Sequence, residues 1–144
     1  MFLIAHRGNT HGIDRHRENS PKYIQEALDQ GYHVEIDVRY INNKWFLGHD
    51  EPQYEIQFNY LKNDKFWCHA KNLEALDIML KTPDIHCFWH QTDDYTITSN
   101  NIIWAFPGKK ITENSIAVLP ETYYKTLPKC LGICSDLVYL YKNL

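Results

Sequence analysis

From Val34 to Val38 the chain reads Val-Glu-Ile-Asp-Val, and this alternation constrains the fold more than any other stretch. In a strand, residues i and i+2 share a face. Val34, Ile36 and Val38 therefore call for a packed layer, while Glu35 and Asp37, with His33, project together from the opposite face. Two ionised carboxylates this close repel in a dry site unless a cation lies between them. Their oxygens suit Mg2+ or Ca2+. The plainer alternative is a polar strand face meeting solvent at a sheet edge. Asn42-Asn43 then favours a tight hairpin turn into Lys44–Asp50.

Around this strand the pattern alternates. Phe2–Ala5 reads as a first strand, and Ser20-Pro21 as the start of a helix that stops at Gly31. Residues 65–72 form a further strand, followed by a helix from Leu73 that ends before Pro83. Beyond it the chain is strand-rich, with short connections. Strands alternating with helices indicate an α/β sheet. Seven or eight strands accompany only two or three helices, and a complete (β/α)8 barrel typically takes ~250 residues. The expectation for 144 residues is one domain, 1–144, folded as a small, reduced (β/α)8 TIM-type barrel with several outer helices shortened or missing.

Several classes are disfavoured by composition. A hydrophobic content of 44% belongs to a folded globular chain, and a formal charge of −3 leaves no basic footprint for nucleic acid. Basic residues do gather early, at His6, Arg7, His11, Arg15, His16 and Arg17, which admits an anionic small ligand. No apolar run approaches the ~20 residues of a membrane span. Met1–Gly8 lacks the pattern of a signal peptide. The four cysteines have no paired zinc-ribbon spacing and read as reduced thiols of a cytoplasmic protein.

Polar residues recur where strands end. His6 and Arg7 follow the first strand, and His69 and Lys71 repeat the i, i+2 pattern near the end of another. In a parallel α/β barrel the active site lies at that end. With a two-residue turn at Asn42-Asn43, Ile41 opposes Lys44 and His49 falls opposite Ile36, beside the acids. Strict register points His49 to the other face, and a bulge at Gly48 would reverse it.

Taken in order, Ala5-His6-Arg7-Gly8, Glu18-Asn19-Ser20, Val34–Val38 and Gly48-His49-Asp50 resemble the glycerophosphodiester phosphodiesterase family, related in fold and mechanism to the phosphatidylinositol phospholipases. The first third matches closely, and Leu131–Asp136 resembles the family's closing strand. The resemblance implies a (β/α)8 barrel that cleaves phosphodiesters with a divalent metal. It implies His6 and His49 as general acid and base, Arg7 as the phosphate-binding arginine and Lys71 as a second cation for developing charge. Glu35 and Asp37 are implied as metal ligands, with Glu18 and Asn19 bracing the site. His69 stands where the family has a third acid, so Mn2+ or Zn2+ joins Mg2+ and Ca2+ as a candidate ion.

The expected substrate is a small soluble phosphodiester, glycerophosphodiester-like or linked to a sugar or nucleotide. Arg7, Lys71, Trp89, His90 and Asp136 are candidate substrate contacts, with Asp136 alternatively holding Arg7. Trp89 offers a flat face, or an aromatic for a small core. A homo-oligomer would cover apolar strand faces of a thinly clad barrel. The alternative function is a catalytically inactive phosphate- or sugar-phosphate-binding module.

Overall fold

A computed structural model describes residues 1–144. Its strands are β1 (Phe2–His6), β2 (His33–Ile41), β3 (Lys44–Leu47), β4 (Tyr54–Ile56), β5 (Phe66–Ala70), β6 (Cys87–Phe88), β7 (Tyr95–Ile97), β8 (Ile103–Ala105), β9 (Ser115–Val118) and β10 (Gly132–Ser135). The helices are α1 (Pro21–Asp29), α2 (Leu73–Leu80) and the single turn α3 (Pro120–Tyr123). Ser20 caps α1, its side chain accepting from the Tyr23 amide, and Pro21 occupies the first turn, where no donor is needed.

Strand β2 organises the sheet. Its first half pairs in parallel with β1 on one side and β5 on the other. From Val38 onward it pairs antiparallel with β3, Ile41 opposite Lys44, which is the register the two-residue turn requires. Asn42 and Asn43 carry φ of 52° and 61°, the left-handed pair that a twisted hairpin favours. The parallel strands run β6-β5-β2-β1-β10-β9-β8, with β7 antiparallel to β8 and the β3–β4 flap extending β2.

The chain is not the (β/α)8 barrel expected above. It is a mixed sheet curled into a half-barrel, with helices between only some strands. Chain length explains the difference. A parallel crossover that carries a helix needs a dozen or more residues, whereas an antiparallel return needs only a turn. Residues 98–102, between β7 and β8, form such a return. Residues 106–114 link β8 to β9 without a helix.

Curling gives the sheet two apolar faces. Val34, Ile36 and Val38 join Ile24, Ala27, Ala75 and Met79 in the layer beneath α1 and α2. Ile4, Trp67, Phe88, Trp104, Ile116, Val118 and Cys134 pack inside the curl. The Phe88 and Trp104 rings lie 4.5 Å apart and form part of its floor. Glu35 and Asp37 stand opposite Trp67 and His69 on β5, so the acids share the inner face with this aromatic wedge. No helix is long and apolar enough to cross a membrane.

At the opposite end of the inner face, Trp67 donates its indole N–H to His33, and His86 packs 4.3 Å from the Trp67 ring. His86 Nε2 is buried without a partner. Burial, then the neighbouring His33, pushes the His86 imidazole down to about 4. The folded state therefore binds this proton less readily than the unfolded chain. The contribution is intact above 6.5 and is lost as pH falls from there toward 4. Urea unfolding of the metal-free protein should lose about 2 kcal/mol from this group between pH 7 and pH 4, and His86→Phe should flatten that limb.

Candidate metal centre and its polar cleft

The parallel sheet delivers one set of side chains to a single end. His6 closes β1, Glu35 and Asp37 lie on β2, His69 on β5, and Asp136 follows β10. Ligand atoms of Glu35, Asp37 and His69 all lie within 4.8 Å of one another. His69 Nδ1 is 3.4 Å from Glu35 Oε1 and 3.5 Å from Asp37 Oδ1. Its Nε2–H donates to the His90 carbonyl at 2.7 Å. In the neutral ring this bond leaves the Nδ1 lone pair facing both acids. The imidazole also stacks on Phe88, 4.8 Å between centroids, so its plane is set from two sides.

These groups fit a divalent cation. Asp37 Oδ1 is fully buried and has no hydrogen-bond partner, which is costly for an acceptor with nothing to bind. Two carboxylates and an imidazole lone pair converge on that point. A backbone carbonyl behind the histidine is a common way to orient a metal ligand.

The charges are unequal. Burial favours the neutral form of Glu35, but donation and charge from His69 when its Nδ1 carries a proton, then His6 and Arg7, outweigh it and hold the carboxyl at about 2. Asp37 is pushed up, first by burial and then by the Glu35 charge. One carboxylate is thus secured without a metal, whereas the second strains against its neighbour.

Beside the acids stands a histidine–aspartate pair. His6 Nδ1 donates to Asp136 Oδ1 at 2.8 Å, and His6 Nε2 lies 4.0 Å from Glu35 Oε2. Burial lowers the affinity of His6 for a proton, but the Asp136 hydrogen bond and the Glu35 charge prevail and raise it overall. Burial likewise disfavours the Asp136 charge, and the His6 contact outweighs it, so that carboxyl is lowered. Asp136 therefore holds His6 rather than Arg7.

Arg7, at φ 54°, is held by Glu18 through Nη1 at 3.2 Å and lies 3.3 Å from Asp37 through Nε. Asn19 donates to Asp37 Oδ2 at 2.8 Å, and its own carbonyl oxygen accepts the Asp37 amide at 2.9 Å. Glu18 and Asn19 thus brace the arginine and one acid respectively.

Arg7, Arg15, Glu18, His49, Asp50, Glu51 and Gln53 line a cleft of about 410 Å³ with no apolar side chain. His49 reaches it from a loop rather than from the strand ladder. The Gly48 amide still pairs with the Asp37 carbonyl, but the Gln53 amide then returns to Leu47, and Arg39 holds the Gly48 and His49 carbonyls. His49 Nδ1 pairs with Asp50 at 2.7 Å. Lys71 follows β5, makes no ion pair, and helps Arg7 and His49 to hold the Asp50 carboxyl down, the His49 contact being the largest influence.

Gly48 permits this loop. A Cβ there would sit 1.9 Å from the Glu51 carbonyl, closer than any side chain can approach backbone. Gly48→Ala should cost about 2–4 kcal/mol in urea unfolding, as the loop bearing His49 must move.

The other candidates lie apart. Trp89 packs against the outer core, while Phe88 holds the inner position beneath His69. His90 acts through its carbonyl, its ring being tied to the Asp93 carbonyl at 2.6 Å and set edge-on to Phe106. Sequence reasoning missed Phe88 and the fully buried Asn9, which bonds to both Glu18 and Asp136. Asn9 adjoins His6-Arg7-Gly8, but an asparagine in a polar loop carries no signal of its own. No protein-family model, curated protein or solved structure matches the chain.

Proposed function

We propose that this chain is a metal-dependent phosphoric diester hydrolase, acting on a small soluble substrate of the glycerophosphodiester or sugar/nucleotide-linked kind. The observation that carries the reading is the convergence of Glu35, Asp37 and His69 beside an oriented His6 and the Arg7 guanidinium. The sequence resemblance supports the same chemistry, and it does so without the barrel. The wholly polar cleft suits a polar alcohol better than an acyl chain.

Glu35, Asp37 and His69 would hold the cation. When bound, a divalent cation supplies Lewis-acid stabilisation of phosphate charge and a more acidic hydroxyl or water. The mixed oxygen and nitrogen donors favour Mn2+ or Zn2+ more than they favour Mg2+ or Ca2+. Arg7 Nη2 makes no bond to protein and is available to a phosphate oxygen, where a guanidinium can stabilise added negative charge. His6 holds or releases a proton at Nε2 while Asp136 fixes Nδ1. His49, which lines the cleft with Arg7, would be the complementary acid or base, and Lys71, near enough to act on Asp50, would add positive charge. Four free cysteines, three of them buried, agree with a reducing compartment such as the cytoplasm.

The test is hydrolysis of a chromogenic phosphodiester by metal-stripped protein, with Mg2+, Ca2+, Mn2+ or Zn2+ restored singly. Turnover that requires one of these ions supports the reading. Metal and phosphate binding without turnover is the result expected of an inactive binding module.

A further inference from the structure

We propose that Asn9 is the positioning residue that couples the proton-transfer histidine to the anion-binding arginine. The inference rests on the hydrolase reading for its kinetic consequence, but its geometry stands apart from it. Asn9 is fully buried. One proton of its Nδ2 goes to Asp136 Oδ1 at 2.8 Å and the other to Glu18 Oε1 at 2.9 Å. Asp136 in turn accepts from His6 Nδ1, and Glu18 accepts from Arg7 Nη1 at 3.2 Å.

The orientation of the amide is settled by its other end. Asn9 Oδ1 accepts the Asp14 amide at 3.1 Å and the Tyr23 hydroxyl at 3.1 Å. A backbone N–H can only donate, so the oxygen must face Asp14 and the NH2 must face the carboxylates. Both amide protons and both oxygen lone pairs are therefore used. No other side chain bonds to both Asp136 and Glu18. A neutral group with two donors fits between two buried carboxylates, and an aspartate in its place would set three acids together.

Asp136 shares Oδ1 between His6 and Asn9, so Asn9 limits the rotation that would release the His6 ring. With it removed, the Asp136 carboxylate turns more freely, and His6 populates the tautomer that carries its proton on Nε2. Glu18 loses the bond that opposes its pull on Arg7. The expected signature is a fall in kcat rather than a rise in KM, because the misplaced groups act on proton transfer and transition-state charge.

The experiment combines kinetics with 15N NMR of the histidine rings at a pH where His6 is neutral. Wild-type protein should show His6 as the Nδ1–H tautomer, and the two Asn9 Nδ2 protons as separate, slowly exchanging signals. Folded Asn9→Ala should lose 10- to 100-fold in kcat with KM changed less than threefold, and show mixed His6 tautomers. Folded Asn9→Asp should lose more. An Asn9→Ala protein with wild-type kcat and an unchanged His6 tautomer would overturn the proposal. If neither variant folds, wild-type Asn9 amide protons that exchange rapidly with water overturn it equally. If wild-type protein hydrolyses no phosphodiester, the hydrolase reading fails alone, and the tautomer and exchange measurements still decide the role of Asn9.

Discussion

Asp37→Asn is expected to abolish metal-dependent phosphodiesterase turnover, by about 10³-fold or more, while making the metal-free protein more stable. The loss follows from removing one charged ligand of three: a Lewis-acid contribution of several kcal/mol corresponds to about 10³ in rate. The gain follows from the surroundings of Asp37. Its Oδ2 already accepts from Asn19 and lies beside Arg7, so an amide oxygen can keep that position. With His69 neutral, the amide nitrogen then replaces the orphaned Oδ1, 3.5 Å from His69 Nδ1, and supplies a donor to that lone pair. Relief of an unpartnered buried acceptor is worth about 1–2 kcal/mol, or about 3–6 °C in Tm for a chain of this size. Added Mn2+ should raise the wild-type Tm and leave the variant unchanged. Were the cluster a structural ion pair around a protonated His69, the same substitution would lower the Tm. The sign of the change therefore separates a cation site from a salt bridge.

The second large effect is expected at His6. His6→Ala should lower kcat by about 10²–10⁴, the usual weight of general acid–base catalysis, yet keep the Mn2+-induced rise in Tm, because His6 is outside the three-ligand set. The pH dependence of the metal-free protein gives an independent check. His6 binds its proton more tightly in the folded state than at the ordinary 6.5, burial being outweighed by Asp136 and Glu35. Its contribution to stability is full below 6.5 and lost as pH rises through its raised value. Urea midpoints of the wild type should fall across that window above 6.5, and those of His6→Ala should not.

What the sequence revealed, and what it did not, follows from the range of each interaction. The period-2 pattern of Val34–Val38 placed both acids on one face because strand geometry is local. The Asn42-Asn43 turn set the hairpin register for the same reason. The overall architecture was not legible in this way. Whether a sheet carries outer helices depends on connection lengths, and β6 and β7, of two and three residues, are too short to display any period. Phase was lost with it: Trp89 read either as a flat face for substrate or as a core aromatic, and alternation puts Phe88 inward, under His69, with Trp89 against the outer core. The brace behind His69 is a backbone carbonyl, which no residue type announces. Asn9 and Asp136 are 127 positions apart and meet only because β10 pairs with β1.

The most direct test of the account is isothermal titration calorimetry of Mn2+ into the metal-stripped wild-type protein and into Asp37→Asn. One ion per wild-type chain, with binding lost in the variant, is the predicted result. A folded wild-type protein that takes up no ion, or a variant that binds as tightly as wild type, would contradict it.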